Sequence, residues 1–439
     1  MSILLGIIQF IIILYILFYE YKRRSASVFL WAMLFVIFAI SHLATCLMGS
    51  NTFSVDALNE VSLYVILFCA IYHITILLFG RKESNVFNVD RIKLRDEALK
   101  YRKYITRFSN VLTVIMVLVV IIRLFLLITG SGGLQNTSWA TMRHVSSTGG
   151  VFSFSELFSV LYFVGSVALL LALLEKKYKK VIFLSLLVII EVIISRNRIE
   201  ILPLICTFLS LFIMKYKTLS LKLVIILAAS LVIIIYTVYG LRVFRHYGTL
   251  SDFASDFSVT SFNDKVNQYI QTDNGELGLK NFFYYFAENK NNFENFGEGH
   301  TYKRMLLFMV PTSLSFGLKP PDFAISMGHA VDPTISGYSV HPTLFGDCYA
   351  NFGFLGFVFM GIFWAIFVLL LDKLIIKTNS NYLKVSVFFV IAITYIIIGR
   401  GSVYNGFVWM AYSIITLYVI SFLCRLRLKD EAIPSQIER

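Results

Sequence analysis

LKLVIILAASLVIIIYTVYGLRVFRHYG, residues 221–248, is the stretch whose reading decides the fold. From Leu221 to Tyr239 it is almost wholly apolar, and it then meets Arg242, Arg245 and His246. About 20 consecutive apolar residues match the hydrocarbon thickness of a bilayer. Comparable runs recur along all 439 residues, 57 % of which are hydrophobic and only 15 % charged. Soluble domains carry about 25 % charged residues, so a bilayer, not a soluble core, must absorb these runs. The other spanning structure, a closed barrel, needs strands of about 10 residues that alternate polar and apolar, and these runs do not alternate.

Eleven apolar runs are candidate spans. They lie near Ile3–Phe18, Val28–Met48, Val61–Phe79, Asn110–Ile128, Val151–Leu174, Val181–Ile194, Ile201–Met214, Leu221–Tyr239, Tyr349–Leu371, Val385–Ile398 and Gly406–Leu423. The expected fold is all-α, a polytopic transmembrane helical bundle of about 11 spans with one long outer loop containing short and re-entrant helices. The chain divides into helices 1–8 over 1–241, a large extracytoplasmic loop over 242–347, helices 9–11 over 348–424, and a cytoplasmic tail over 425–439. The first run lacks a basic leader and a small-residue cleavage site, and is read as retained.

The net charge of +13 reads as lysines and arginines gathered on the cytoplasmic side, not as a nucleic-acid surface. Alternate loops, among them YKRR from Tyr21, EKKYKK from Glu175 and the tail from Arg425, hold 26 Lys and Arg; the short loops opposite hold four. That asymmetry orients the chain with its C-terminus in the cytoplasm. The five cysteines are scattered with no CxxC pair, so isolated buried thiols are expected and not a zinc site or disulfide framework. There is no GxxxxGK[ST], no HExxH and no DxD, which argues against nucleotide-driven transport and zinc proteolysis.

On this orientation Arg196, Arg198, Arg242, Arg245, His246 and Arg400 face outward, and Arg123 lies inside the fourth run toward its outer end. An arginine within a span costs roughly 2.5–3.5 kcal/mol at mid-helix and is usually functional. Guanidinium forks onto phosphate oxygens, so the set suits a lipid-linked phosphate or diphosphate. The alternative pairs these arginines with Glu191, Glu200, Asp252 and Asp256, or lets them snorkel to headgroups. A second constellation, GYSVHPTLFGDCYANFGFLG from Gly337, carries His341 and Asp347. Either is a candidate general base; the plainer reading has His341 capping a loop and Asp347 capping the next helix. Phe282, Phe283, Tyr284 and Tyr285 either stack on sugar rings or form a packed helix face. Met305–Phe316 is too short to span and is broken by Pro311, which reads as interfacial or re-entrant.

These residues carry a resemblance. In layout, and in the ordered local matches around Arg196, around Arg245-His246-Tyr247-Gly248, before Pro320-Pro321, at Pro342-Thr343-Leu344 with Gly346, and at Arg400, the chain resembles bacterial O-antigen (oligosaccharide repeat-unit) polymerases of the Wzy type. The resemblance implies a metal-independent membrane glycosyltransferase of the GT-C type, inverting and without cofactor. Its substrates would be undecaprenyl-pyrophosphate-linked oligosaccharides, with membrane lipids, a chain-length regulator and a flippase as partners and no nucleic acid. It would lie in the bacterial inner membrane with its active site facing the periplasm. Arg196, Arg245, Arg400, His341 and Asp347 would be catalytic; Arg198, Arg242, His246, Tyr247, Arg123 and Tyr404 would bind substrate. Two alternatives stay open: an O-antigen ligase with the same chemistry, and a lipid-linked oligosaccharide flippase or transporter, for which charges on both leaflets and an inverted repeat would be expected.

Overall fold

A computed structural model describes residues 2–49, 52–80, 84, 86–87, 91–131, 154–195, 197–216, 229, 232–233, 236–244, 255, 257–271, 277–310, 312–335 and 337–432. Among the described residues there is helix and no strand. Among the described residues, eight helices are long and apolar enough to cross a membrane, so the chain is a multi-pass helical membrane protein.

These eight match eight of the eleven expected runs. They are α1 (Ser2–Arg23), α2 (Val28–Met48, with a π-helical turn over Phe35–Ile40) and α3 (Val55–Phe79). After a short basic helix, α4 (Arg91–Lys100), come α5 (Arg102–Ser131) and α6 (Phe154–Leu174). The sixth and seventh runs form α7 (Tyr178–Ser195) and α8 (Leu202–Lys215), which fall short of that standard. α7 carries Lys179, Lys180 and Glu191 within its 18 residues. α8 has 14 residues, which is about 21 Å of helix against a core of about 30 Å. The eighth run lies largely outside the described residues; its end belongs to α9, residues 236–244.

The expected long outer loop is a series of short helices: α10 (Val259–Gln271), α11 (Lys280–Glu288), α12 (His300–Leu306) and α13 (Phe323–Val331). The ninth run does not begin at Tyr349 as expected. Gly353, at φ 65°, ends one helix, α14 (Thr343–Phe352), and a separate span, α15 (Gly356–Lys377), follows it. An L side chain is strained in that left-handed conformation, so the glycine decides the break. The last two spans are α16 (Asn381–Gly399) and α17 (Val403–Ala432).

The chain forms two compact units. The first comprises residues 1–87, 273–377 and 394–408. Here α15 packs so closely on α3 that a Cβ on Gly361 would lie 3.1 Å from the Phe68 carbonyl oxygen, the small-residue packing that substitutes for hydrophobic driving force in lipid. Arg23, read from sequence as part of a cytoplasmic loop, is instead buried at the end of α1. It bonds Glu20 at 2.8 Å and Asp372 at 3.0 Å. Tyr72 and Ser27 hydroxyls donate to Glu20, and the Ala26 amide donates to Asp372. Every oxygen of this cluster is satisfied, which is what a buried charge group requires. α11 also enters this unit. Phe283 and Tyr284 are fully buried, so the packed-face reading holds for those two aromatics.

The second unit comprises residues 88–272, 378–393 and 409–439. A Cβ on Gly165 of α6 would lie 2.7 Å from the Met116 amide nitrogen, so α5 and α6 also touch backbone to backbone. Glu97 of α4 accepts from the Ser380 hydroxyl at 2.6 Å and the Asn381 amide at 2.8 Å. That places a carboxylate on the exposed amides at the start of α16, where the helix dipole favours negative charge. The five cysteines are all buried thiols.

Candidate functional site

The candidate site lies in the first unit and is built around the start of α14. Thr343 opens that helix at φ 66°, an uncommon conformation for a β-branched residue. It is held there from outside: the turn between α16 and α17 passes so near that a Cβ on Gly401 would lie 2.5 Å from the Thr343 amide nitrogen. Gly401 itself sits at φ 104°. Gly346 provides a second close approach, since a Cβ there would meet Pro342 at 2.7 Å and Phe283 at 3.0 Å. The glycines of this stretch therefore let α11, α14 and the α16–α17 turn converge.

The convergence leaves a small, partly open cavity lined by Thr301 and Arg304 of α12, Asp322, His341, Asp347 of α14, and Ser402 and Tyr404 beyond α16. Asp347 is buried and does not cap its helix. Thr301 Oγ1 donates to its Oδ2 at 3.2 Å, and Asn351 Nδ2 to its Oδ1 at 3.2 Å. Asn351 also accepts the Thr301 amide at 2.9 Å, so α12 and α14 are locked around the carboxyl. Burial pushes the Asp347 carboxyl up to about 8, against the donors Thr301 and Tyr302, with the nearby Asp322 charge adding to the rise. A carboxyl poised near neutral pH suits proton transfer. His341 lies beside Ser402, with Nδ1 3.3 Å from the Ser402 hydroxyl.

Arg304 is the cation of this cavity. Its Nη1 donates to the Pro320 carbonyl at 2.7 Å, and its guanidinium lies over the Tyr404 ring at 4.7 Å. Its Nε–H is buried without a hydrogen-bond partner. An orphaned donor on a permanently charged group, at the wall of a polar cavity, is a place for an anionic oxygen.

Of the expected site residues, His341, Asp347 and Tyr404 share this cavity, and Arg400 immediately precedes Gly401 in its wall. Three others belong to the second unit. Arg123 is paired with Glu191 and, at 3.2 Å, with Glu200, two of the carboxylates that the sequence offered as partners for the outward arginines. Arg198 opens the turn Arg198–Ile201, which Asn197 caps. Arg242 lies over the Tyr269 ring at 5.0 Å. Arg196, Arg245, His246 and Tyr247 lie outside the described residues. Sequence reasoning missed Arg304, Thr301 and Asn351. The only sequence signal for Arg304 was its place at the polar edge of the short apolar stretch Met305–Phe316.

Comparison of the chain with models of protein families, with curated proteins and with solved structures gives no match.

Proposed function

We propose that the chain joins undecaprenyl-pyrophosphate-linked oligosaccharide repeat units into a polysaccharide, releasing undecaprenyl pyrophosphate. The observation that carries this reading is the pairing, in one cavity of a multi-pass membrane protein, of a buried carboxyl poised near neutrality, Asp347, with an arginine donor left unsatisfied, Arg304. In the proposed step a hydroxyl oxygen of one repeat unit attacks the anomeric carbon of the chain on the second carrier. The new C–O bond forms as the bond from that carbon to the diphosphate oxygen breaks, and its electron pair leaves with the diphosphate. The hydroxyl proton passes to the Asp347 carboxylate. Arg304 stabilises the negative charge that develops on the leaving oxygen; removing one preorganised donor from such a site typically costs about 10²–10³ in rate. His341 and Ser402 orient the incoming sugar, and Arg400 adds positive charge beside them.

Charge distribution supports an extracytoplasmic cavity. The α16–α17 turn lies at the opposite end of α16 from the basic stretch Lys373–Lys384, and lysine-rich ends stay in the cytoplasm. The test is purified protein in liposomes with synthetic undecaprenyl-pyrophosphate repeat units, products resolved by length. A ladder of lengthening products supports the polymerase. Transfer only to a lipid A core acceptor would mean a ligase, and movement of repeat units across the bilayer without a new glycosidic bond would mean a transporter.

A further inference from the structure

We infer that the segment between α12 and α13 is seated in the lipid bilayer, its apolar side chains among the acyl chains and its basic neck at headgroup level. Leu306, Met309, Leu314, Phe316 and Leu318 are between 62 % and 93 % exposed. Five large apolar side chains within thirteen residues, from the last residue of α12 into the loop after it, form a patch of the kind that marks an interaction surface. The segment turns back on itself: Phe316 and Gly317 both adopt positive φ, 49° and 81°, Lys319 reaches back to the Val310 carbonyl, and Phe316 is the most exposed of the five.

Three features choose lipid as the occupant. First, the loop satisfies much of its backbone from within. The Val310 amide bonds Leu307 at 3.0 Å, the Leu318 amide bonds Ser315 at 2.9 Å, and the Ser315 hydroxyl donates to Thr312 at 2.7 Å. Irregular backbone near acyl chains needs internal partners, because lipid supplies none. Second, the neck is basic and closed. Arg304 donates to the Pro320 carbonyl, Lys319 donates to the Val310 carbonyl at 2.8 Å, and Lys303 is exposed beside them. Cations ringing an apolar tip match phosphate headgroups above an acyl layer. Third, the chain carries eight candidate spans, so a bilayer surrounds it, whereas an apolar stretch of this length cannot itself cross.

The consequence concerns the cavity. Arg304 belongs both to the neck and to the cavity wall. A seated loop therefore fixes the cavity at headgroup depth, where the polar head of a membrane lipid can enter while its tail stays in the acyl layer. The seating rests on the membrane reading and stands whether or not the chain is a polymerase.

The experiment uses the full chain. All five native cysteines are buried, so a thiol introduced at Phe316→Cys takes an environment-sensitive fluorophore selectively. Glu294→Cys, on an exposed turn of the same unit, is the control, and Leu318→Cys replaces Phe316→Cys if that variant fails to fold. The proteins are reconstituted into phosphatidylcholine–phosphatidylglycerol liposomes. The expected result is quenching of the Phe316 label by spin-labelled lipids with loss of quenching by aqueous iodide, and the reverse for Glu294. Iodide quenching of the Phe316 label equal to that of the control would overturn the inference. So would a label that neither quencher reaches, which would place the patch against another protein.

Discussion

Arg304 and Tyr404 meet across a hundred residues of sequence, the guanidinium 4.7 Å from the ring centre, and that contact fixes the arginine of α12 on the wall of the cavity. The ring holds the plane of the guanidinium, and the Pro320 carbonyl takes one of its donors. What remains is directional: a flat cation with an unused N–H. A lysine could supply the charge at this position but not the fork.

Arg304→Ala should therefore lower the rate of glycosidic bond formation by about 10²–10³, the usual cost of one lost donor to a developing oxyanion. Arg304→Lys should recover little of this. Tyr404→Leu should be milder, since a half-buried cation–π contact contributes about 0.5–2 kcal/mol, or roughly two- to thirtyfold. Initial rates with synthetic lipid-linked repeat units measure all three. Wild-type rates for Arg304→Ala would remove Arg304 from the chemistry.

Asp347 gives the reaction a pH profile. With its carboxyl near 8, the carboxylate form grows as pH rises toward that value, and the rate should grow with it. Asp347→Asn should flatten the profile and lower the rate by about 10²–10⁴, the range for a lost general base. The same shift predicts stability with a definite sign. The folded state keeps a proton that the unfolded carboxyl, at 3.8, releases. The stabilisation is complete below the unfolded value and is lost as pH rises through about 8. The apparent melting temperature should fall across that window in the wild type and fall less in Asp347→Asn.

Eight of the eleven expected spans were legible because a continuous apolar run of bilayer length is a strong, local signal. What the sequence hid is non-local. Arg23 looked like one more cytoplasmic loop residue; its partner Asp372 lies 349 positions away. Arg304 looked like the edge of an apolar stretch, and nothing nearby in sequence announces Tyr404. His341 and Asp347 were legible as a pair because they sit on one short turn-rich stretch. Their supporting shell, Thr301 and Asn351, required the packing of α12 against α14. The misplaced start of the ninth span has a local cause: Gly353 breaks a stretch whose flanking residues are apolar enough to hide the break.

Two glycines with positive φ separate backbone strain from steric support of the cavity. A Cβ on Gly353 meets nothing within 4 Å, so Gly353→Ala should cost only the penalty of its positive-φ extended backbone, about 1–3 kcal/mol. A Cβ on Gly401 collides with the Thr343 amide at 2.5 Å and the His341 carbonyl carbon at 3.0 Å. Gly401→Ala should destabilise more and should also displace His341 and Thr343, lowering activity in protein that still folds. Thermal unfolding in detergent, read beside initial rates, distinguishes the two. Equal effects for both substitutions would mean that the α16–α17 turn does not shape the cavity.

Arg123 is the last test, and it sets structure against chemistry. Its guanidinium bonds both Glu191 and Glu200, and each carboxylate keeps one buried oxygen without a hydrogen-bond partner. One guanidinium thus bridges two buried carboxyl groups. Arg123→Met would leave both uncompensated, and removing one partner of a buried ion pair typically costs about 3–5 kcal/mol. The expected outcome is a large drop in thermal stability of the detergent-solubilised protein. The triple variant Arg123→Met, Glu191→Gln, Glu200→Gln removes the charges together, and stability should return most of the way, because a neutral cluster needs no counter-ion. If Arg123→Met kept its stability and lost only activity, Arg123 would belong to substrate binding and not to the frame of the second unit. The triple variant sharpens the choice: a structural cation is rescued by neutralising its partners, whereas a ligand-binding cation is not.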